Sequence, residues 1–275
     1  MQPGAAQGVE GTSMFIRLGS HLHHVQIDGP ADGAVVVFAN SLGTDLRIWD
    51  EAIRPLTGLR VIRYDMRGHG LTPAPEPPYS IADLASDLEQ LIDALQLPRL
   101  TICGVSVGGQ VALQVAGDRP DTIDGLVLCD TSFRIGGAGM WAQRIAAVTE
   151  GGIGAIAAAV IARWFSEEFR SQRPDDVAGY RYMLERCTAA GYAGVCAALR
   201  DADLEPLARG LRCRTLVLCG DRDQATPPEV AMALAAAIPG ARYESIPGAG
   251  HLPCIEQPAR VAAAVASFVG NHVHV

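Results

Sequence analysis

Gly104-Val105-Ser106-Val107-Gly108 follows Leu100-Thr101-Ile102-Cys103, a run rich in β-formers, and leads into the apolar helical run Val111-Ala112-Leu113-Gln114-Val115-Ala116. Strand, Gly-x-Ser-x-Gly and helix in this order are the context of a nucleophile elbow. Small residues on either side of Ser106 let the chain turn sharply from strand into helix, which leaves the hydroxyl above a sheet instead of packed into it. The pentapeptide alone is a weak signal in a chain with 30 glycines. Its weight comes from what surrounds it.

Outward from the elbow, strand and helix patterns alternate. Strands are predicted at Phe15 to Leu18, His23 to Asp28, Ala34 to Ala39, Arg60 to Tyr64, Leu100 to Cys103, Gly125 to Cys129, Thr215 to Cys219 and Arg242 to Ile246. Val35-Val36-Val37-Phe38 and Leu216-Val217-Leu218 are continuous apolar runs, the pattern of parallel strands buried on both faces. Amphipathic helices are predicted at Ile81 to Leu95, Ala52 to Leu56, Val111 to Ala116, Pro228 to Ala237 and Pro258 to Val269. Ser80 with Asp83 three residues on forms a near capping box at the first of these. The pattern predicts an α/β fold, a mostly parallel eight-stranded sheet with helices on both faces.

Between Arg134 and Leu207 no buried-strand run occurs, and helices are predicted at Met140 to Val148, Ile153 to Phe165 and Val177 to Cys187. We read residues 1–134 and 208–275 as the core and 135–207 as a helical lid over the active face.

The chain has 275 residues, 49% of them hydrophobic, enough for one large core carrying an insertion. Its net charge is −8, with 30 acidic and 22 basic residues and no long run of one sign, so no nucleic-acid footprint is visible. No stretch reaches the about 18 apolar residues that span a bilayer, and the N-terminus does not read as a signal peptide, so neither a membrane nor export is expected and the location is read as cytoplasmic. The first dozen residues, rich in Gly and Ala and without periodicity, read as a disordered start. Seven cysteines without a Cys-x-x-Cys pair read as reduced thiols, with Cys103, Cys129 and Cys219 as core packing. The histidines at 21, 23 and 24 and the pair at 272 and 274 lack a nearby carboxylate or cysteine in sequence, so a solvated edge strand and tail are expected there, not a metal site.

A serine hydroxyl is a poor nucleophile at neutral pH and needs a histidine base, itself oriented by a carboxylate. In an open α/β sheet these come from loops beyond the carboxyl ends of strands, in the order Ser, acid, His. Asp223, in the loop after Leu216 to Cys219 and ahead of Thr226-Pro227-Pro228, is the preferred acid, with Asp221 as a turn cap. His251, in Gly248-Ala249-Gly250-His251, is the base, and His69 precedes the serine and reads as structural. The oxyanion hole is expected from the backbone N–H groups of Val107 and of Leu42, the latter in the loop Asn40-Ser41-Leu42-Gly43.

These elements resemble the α/β-hydrolase superfamily from about Phe15 to Val269, and within it the 3-oxoadipate enol-lactonases. The oxyanion loop Asn40-Ser41-Leu42-Gly43-Thr44-Asp45 carries the specific signal, together with Arg163-Trp164-Phe165 and Gly191-Tyr192-Ala193 in the lid and Ala225-Thr226-Pro227-Pro228 after the acid strand. Asp130, where Asn is expected, and Val107, where Met is usual, depart from it. The resemblance implies hydrolysis of a five-membered enol-lactone bearing an acetate side chain, a small anionic molecule, without metal or cofactor. Its carboxylate needs a cation, for which Arg134 at the sheet-to-lid junction is the first choice, a surface charge being the alternative. Trp141 and Trp164 are expected as apolar walls of the site or as lid core. A carboxylesterase, a cofactor-free perhydrolase and a slow-hydrolysing ligand sensor share the same triad. The sequence carries no signal of oligomeric state.

Overall fold

The apolar runs are the middle strands of one sheet. In the computed structural model, which describes residues 11–270, the strands are β1 (Thr12–Leu18), β2 (His21–Asp28), β3 (Ala34–Ala39), β4 (Leu59–Tyr64), β5 (Leu100–Val105), β6 (Ile123–Cys129), β7 (Arg214–Gly220) and β8 (Arg242–Ile246). They pair in the order β1-β2-β4-β3-β5-β6-β7-β8. The β1/β2 and β2/β4 ladders are antiparallel, and all the others are parallel. Consecutive residues such as Val36, Val37 and Phe38, or Val217, Leu218 and Cys219, are fully buried. Since neighbours on a strand point to opposite faces, both faces of the sheet are covered.

The helices of the core are α1 (Asp50–Ile53), α2 (Ile81–Ala94) and α3 (Val107–Asp118), followed after β6 by six helices of the insertion: α4 (Ala138–Gly151), α5 (Gly154–Trp164), α6 (Glu167–Gln172), α7 (Pro174–Glu185), α8 (Ala189–Asp201) and α9 (Glu205–Gly210). Then come α10 (Pro228–Ala237), α11 (Pro253–Glu256) and α12 (Pro258–Gly270). The cap predicted on α2 is a full capping box, with the Asp83 N–H donating to Ser80 Oγ (3.1 Å) and the Ser80 N–H to Asp83 Oδ2 (2.8 Å). Within the insertion α4 packs on α8 and α5, while α9 packs on α3 and α10. Leu207 of α9 lies against Gly117 of α3.

β3 lies between β4 and β5, so the chain leaves it on one side and returns on the other. Connections diverge at such a point and leave a crevice at the carboxyl ends of the strands, where ligands of open α/β sheets bind. The loops after β3, β5, β6, β7 and β8 all open there.

The histidines of β2 correct the sequence reading. β1, not β2, is the edge strand. His23 is fully buried with Nε2 3.6 Å from Asp87, and His24 Nδ1 is 2.8 Å from Asp65 Oδ2. Their carboxylate partners come from distant parts of the chain, which a search of sequence neighbours could not find. Most of the start read from sequence as disordered, up to residue 10, and the His272/His274 pair lie outside the described residues. No helix among the described residues is long and apolar enough to cross a membrane.

Candidate active site

Ser106 is the hinge between β5 and α3, with φ 58° and ψ −121°. A non-glycine residue in this region is strained, and tertiary contacts must hold it. Here the Ser106 N–H donates to Cys129 O (3.0 Å), and Thr131 Oγ1 donates to Ser106 O (2.7 Å). The flanking glycines are required by space: a Cβ on Gly104 would lie 2.3 Å from Gly108 O, and one on Gly108 would lie 2.3 Å from Ala39 O. The sharp turn thus brings Ser106 beside the end of β3.

The loop leaving β3 is tied down by Asn40. Its Nδ2 donates to Tyr64 O (2.7 Å) and its Oδ1 accepts from the Trp49 indole N–H (2.9 Å). The indole can only donate and the carbonyl only accept, which fixes the amide orientation. Gly43, at φ 82°, completes the turn. Leu42 is thereby placed at the rim of the crevice, while Val107, fully buried, is the first residue of α3 and presents one of the unpaired N–H groups of a helix start.

Across the crevice Asp223 Oδ2 stands 2.9 Å from His251 Nδ1. Thr226 Oγ1 donates to the same oxygen (2.6 Å), and the Ala225 and Thr226 N–H groups donate to Oδ1 at 2.7 and 3.2 Å. Burial works to raise the Asp223 pKa, but the His251 imidazole and these bonds outweigh it and hold the carboxyl below its ordinary value. A carboxylate is therefore kept against Nδ1, which leaves Nε2 to face the crevice as an acceptor. Asp221, two residues earlier, accepts instead from the Gly248 N–H (2.8 Å), a turn cap as expected. His69 is buried in the loop after β4 with Nδ1 3.1 Å from Arg67 O, and burial pulls its pKa down.

The His251 loop is also fastened to the insertion. The His251 N–H donates to Trp164 O (2.9 Å). Glu256 accepts from the Gly250 N–H (2.8 Å), from the Ser166 N–H (3.2 Å) and from Ser166 Oγ (2.5 Å). Ser41, Leu42, Ser106, Ala225 and His251 line one cavity from the core, and Met140, Trp141, Arg144, Val160, Arg163 and Trp164 cover it from the insertion. Such a set can deprotonate a serine hydroxyl for attack on a carbonyl carbon held in a largely apolar cavity.

Residues 34–258 match the family described as alpha/beta hydrolase fold. The chain belongs to that family. This hydrolase is 35% identical over 231 residues to 3-oxoadipate enol-lactonase 2 of Acinetobacter baylyi, covering 84% of the chain and 86% of the relative. It is similar to the crystal structure of the enol-lactonase from Burkholderia xenovorans LB400, with a TM-score of 0.91, 35% identity and coverage of 94% of this chain and 100% of that one. It is also similar to a thermophilic esterase from Thermogutta terrifontis solved with malate bound, with a TM-score of 0.86, 29% identity and coverage of 97% and 100%.

The fold of this hydrolase brings Ser106, His251, Leu42, Trp141 and Trp164 to one cavity, with Asp223 behind His251 and Val107 behind Ser106. Arg134 is not among the lining residues and corrects the expectation. The Leu204 N–H donates to Phe133 O (3.0 Å), which ties the two crossings between sheet and insertion side by side and sets Arg134 against Asp203 in an exposed ion pair. The cations at the cavity are Arg144 and Arg163. Arg144 lies over the Trp141 ring (5.5 Å to the centroid) and 3.4 Å from the Tyr192 hydroxyl, and Arg163 donates to Gln224 O (3.1 Å). Arg144 follows Trp141 by three residues on one helix, so the stripe that carries the tryptophan inward carries the arginine too. That spacing was the available signal.

Asp130, Cys219 and Asp223 place one ligand-type atom each within 4.8 Å of one another, a grouping that could hold a metal ion. Cys219 Sγ, however, donates to Gly220 O and Thr226 O, and burial raises its pKa, so it stands as a thiol. A protonated sulfur is a poor metal ligand.

Proposed function

We propose that this hydrolase is a serine-dependent lactonase that opens a small carboxylate-bearing enol-lactone, 3-oxoadipate enol-lactone being the substrate the resemblance favours. The observation that carries this reading is the pair of guanidinium groups, Arg144 and Arg163, at an otherwise largely apolar cavity that also holds Ser106 and His251. A cation in such a place selects an anion. The malate named with the Thermogutta terrifontis esterase, a small dicarboxylate, is of the same charge class.

In this mechanism Ser106 Oγ attacks the ring carbonyl while His251 Nε2 takes its proton and Asp223 steadies the imidazolium. The N–H groups of Leu42 and Val107 receive the oxyanion. Collapse breaks the ring C–O bond, and the imidazolium proton passes to the departing enol oxygen, which tautomerises to a ketone. Ketonisation makes the opening effectively irreversible. Water, deprotonated by His251, then attacks the acyl-serine and releases the dicarboxylate. Arg144 holds the acetate carboxylate through both steps, against the wall of Trp141 and Trp164.

The test is steady-state hydrolysis of enzymatically generated 3-oxoadipate enol-lactone, followed by its ultraviolet absorbance, beside hydrolysis of neutral p-nitrophenyl acetate. Ser106→Ala should lose both activities. Arg144→Leu removes a charge-assisted contact of about 1.5–3 kcal/mol, so KM for the lactone should rise about 10- to 100-fold with little change for the neutral ester. Rapid cleavage of the ester by the unaltered protein without turnover of the lactone would overturn the assignment.

A further inference from the structure

Asp130, the first residue after β6, is fully buried one loop away from the triad acid. It is one of three non-glycine residues at positive φ among the described residues, at 45°. Two bonds hold it there: its N–H donates to Leu218 O (2.9 Å), and its Oδ1 accepts from the Gly220 N–H (2.8 Å). Its Oδ2 has no hydrogen-bond partner among the described residues, and one of its carboxylate oxygens lies within 4.8 Å of Asp223 and Cys219.

An ionised carboxylate with one oxygen orphaned, buried beside a second carboxylate, is expensive. Asp223 has four donors on its two oxygens and remains charged. The pair therefore keeps one negative charge, on Asp223, and one proton, on Asp130. The titratable groups facing Asp130 from its surroundings are Asp223, Cys219 on β7, Cys129 on its own strand, Tyr243 on β8 and Cys254 on α11. Of these Asp223 is the one held ionised, and its charge favours the proton on Asp130, while burial keeps the three thiols and the phenol neutral. The one cation-forming group, His251, is engaged by Asp223.

We propose that Asp130 is a reserve acid for His251: in the intact protein its carboxyl stands protonated beside Asp223, and when the Asp223 carboxylate is removed it ionises and orients the imidazole in its place. Asp223 is the shared neighbour, within 4.8 Å of Asp130 and 2.9 Å from His251 Nδ1, so its loss both opens room beside Asp130 and removes the charge that keeps Asp130 neutral. The switch is thus built into the same contact. This inference rests on the reading of Ser106, His251 and Asp223 as a triad.

Two measurements test it. Infrared difference spectra of the unaltered protein against Asp130→Asn at neutral pH should contain the carbonyl stretch of a protonated carboxyl, lost in the variant; this readout is independent of activity. Second, p-nitrophenyl acetate hydrolysis is compared for Asp223→Ala and for Asp223→Ala with Asp130→Asn, across pH. Losing a triad acid costs about 10⁴-fold in turnover. Asp223→Ala with Asp130 intact should keep about 10-fold or more activity over the double variant, with an added acidic limb absent from the double variant. Asp223→Ser, which still removes the charge and most of the side chain, replaces Asp223→Ala if the cavity prevents folding. Absence of the carboxyl band, or equal residual activity of the two variants, would overturn the proposal. Resistance of the unaltered protein to an active-serine phosphonate would instead overturn the triad reading itself.

Discussion

Replacing Asn40 by Ala tests how the crevice is held open for chemistry. The side chain is 2% exposed and spans two elements, accepting from the buried Trp49 indole and donating to Tyr64 O at the end of β4. Alanine strands the fully buried indole N–H, at about 1–3 kcal/mol, and removes a further bond worth about 0.5–1.5 kcal/mol. The sum is about 2–4 kcal/mol, or about 5–15 °C in Tm for a chain of this size. The same bonds anchor the turn carrying the Leu42 N–H, and complete loss of an oxyanion donor costs about 10²- to 10³-fold. A loosened donor should cost about 10- to 100-fold in kcat, with KM for a neutral ester nearly unmoved. Scanning calorimetry and p-nitrophenyl acetate kinetics on the same preparation read both effects. A Tm that falls as expected while kcat stays put would refute the coupling between this amide and the reacting centre, and an unchanged Tm would refute the packing argument as a whole.

Two other expectations follow from buried contacts. Burial, and next the charge of Asp223, raise the Asp130 pKa well above its ordinary 3.8, so its contribution to stability is complete below about pH 4 and is lost as pH rises through the higher folded value. Melting curves should therefore show Asp130→Asn gaining on the unaltered protein as pH rises from about 4 to 8, and a constant difference would contradict the sign. Gly191→Ala places a Cβ 2.6 Å from Gly68 Cα and 2.7 Å from Gly68 O, backbone that cannot yield without moving α8; a loss of about 1–3 kcal/mol and a higher KM for the anionic lactone are expected, through the adjacent Tyr192–Arg144 contact, and wild-type KM and Tm together would refute it.

The central strands β3, β5, β6 and β7 were legible because buried parallel strands announce themselves as apolar runs, and the elbow in part because Gly104 is dictated by a backbone contact four residues on. That Asp223 and His251 meet, 2.9 Å apart, was legible for a related reason: each follows a strand end, and those ends gather at one crevice. What the sequence concealed depends on long-range meeting. His24 finds Asp65 and Arg134 finds Asp203 only once the sheet and insertion are assembled. Helix α8 escaped because its Ala and Gly content blurs periodicity, although Tyr192, Val195 and Cys196 on it are fully buried. The inward arginines were visible as spacing and invisible as orientation.

The fastening of the His251 loop to Trp164 O and, through Glu256, to Ser166 bears on how such an enzyme can change its diet. If His251 is the proton acceptor proposed above, the insertion is not an exchangeable cartridge, because the His251 loop hangs partly from it. A transplanted or shortened insertion lacking the corner at 164–166 would yield a poor catalyst, not a broad one. Divergence toward new substrates is thereby channelled onto the inward stripe of α4 and α5, where Met140, Arg144 and Val160 can vary without unhooking the base.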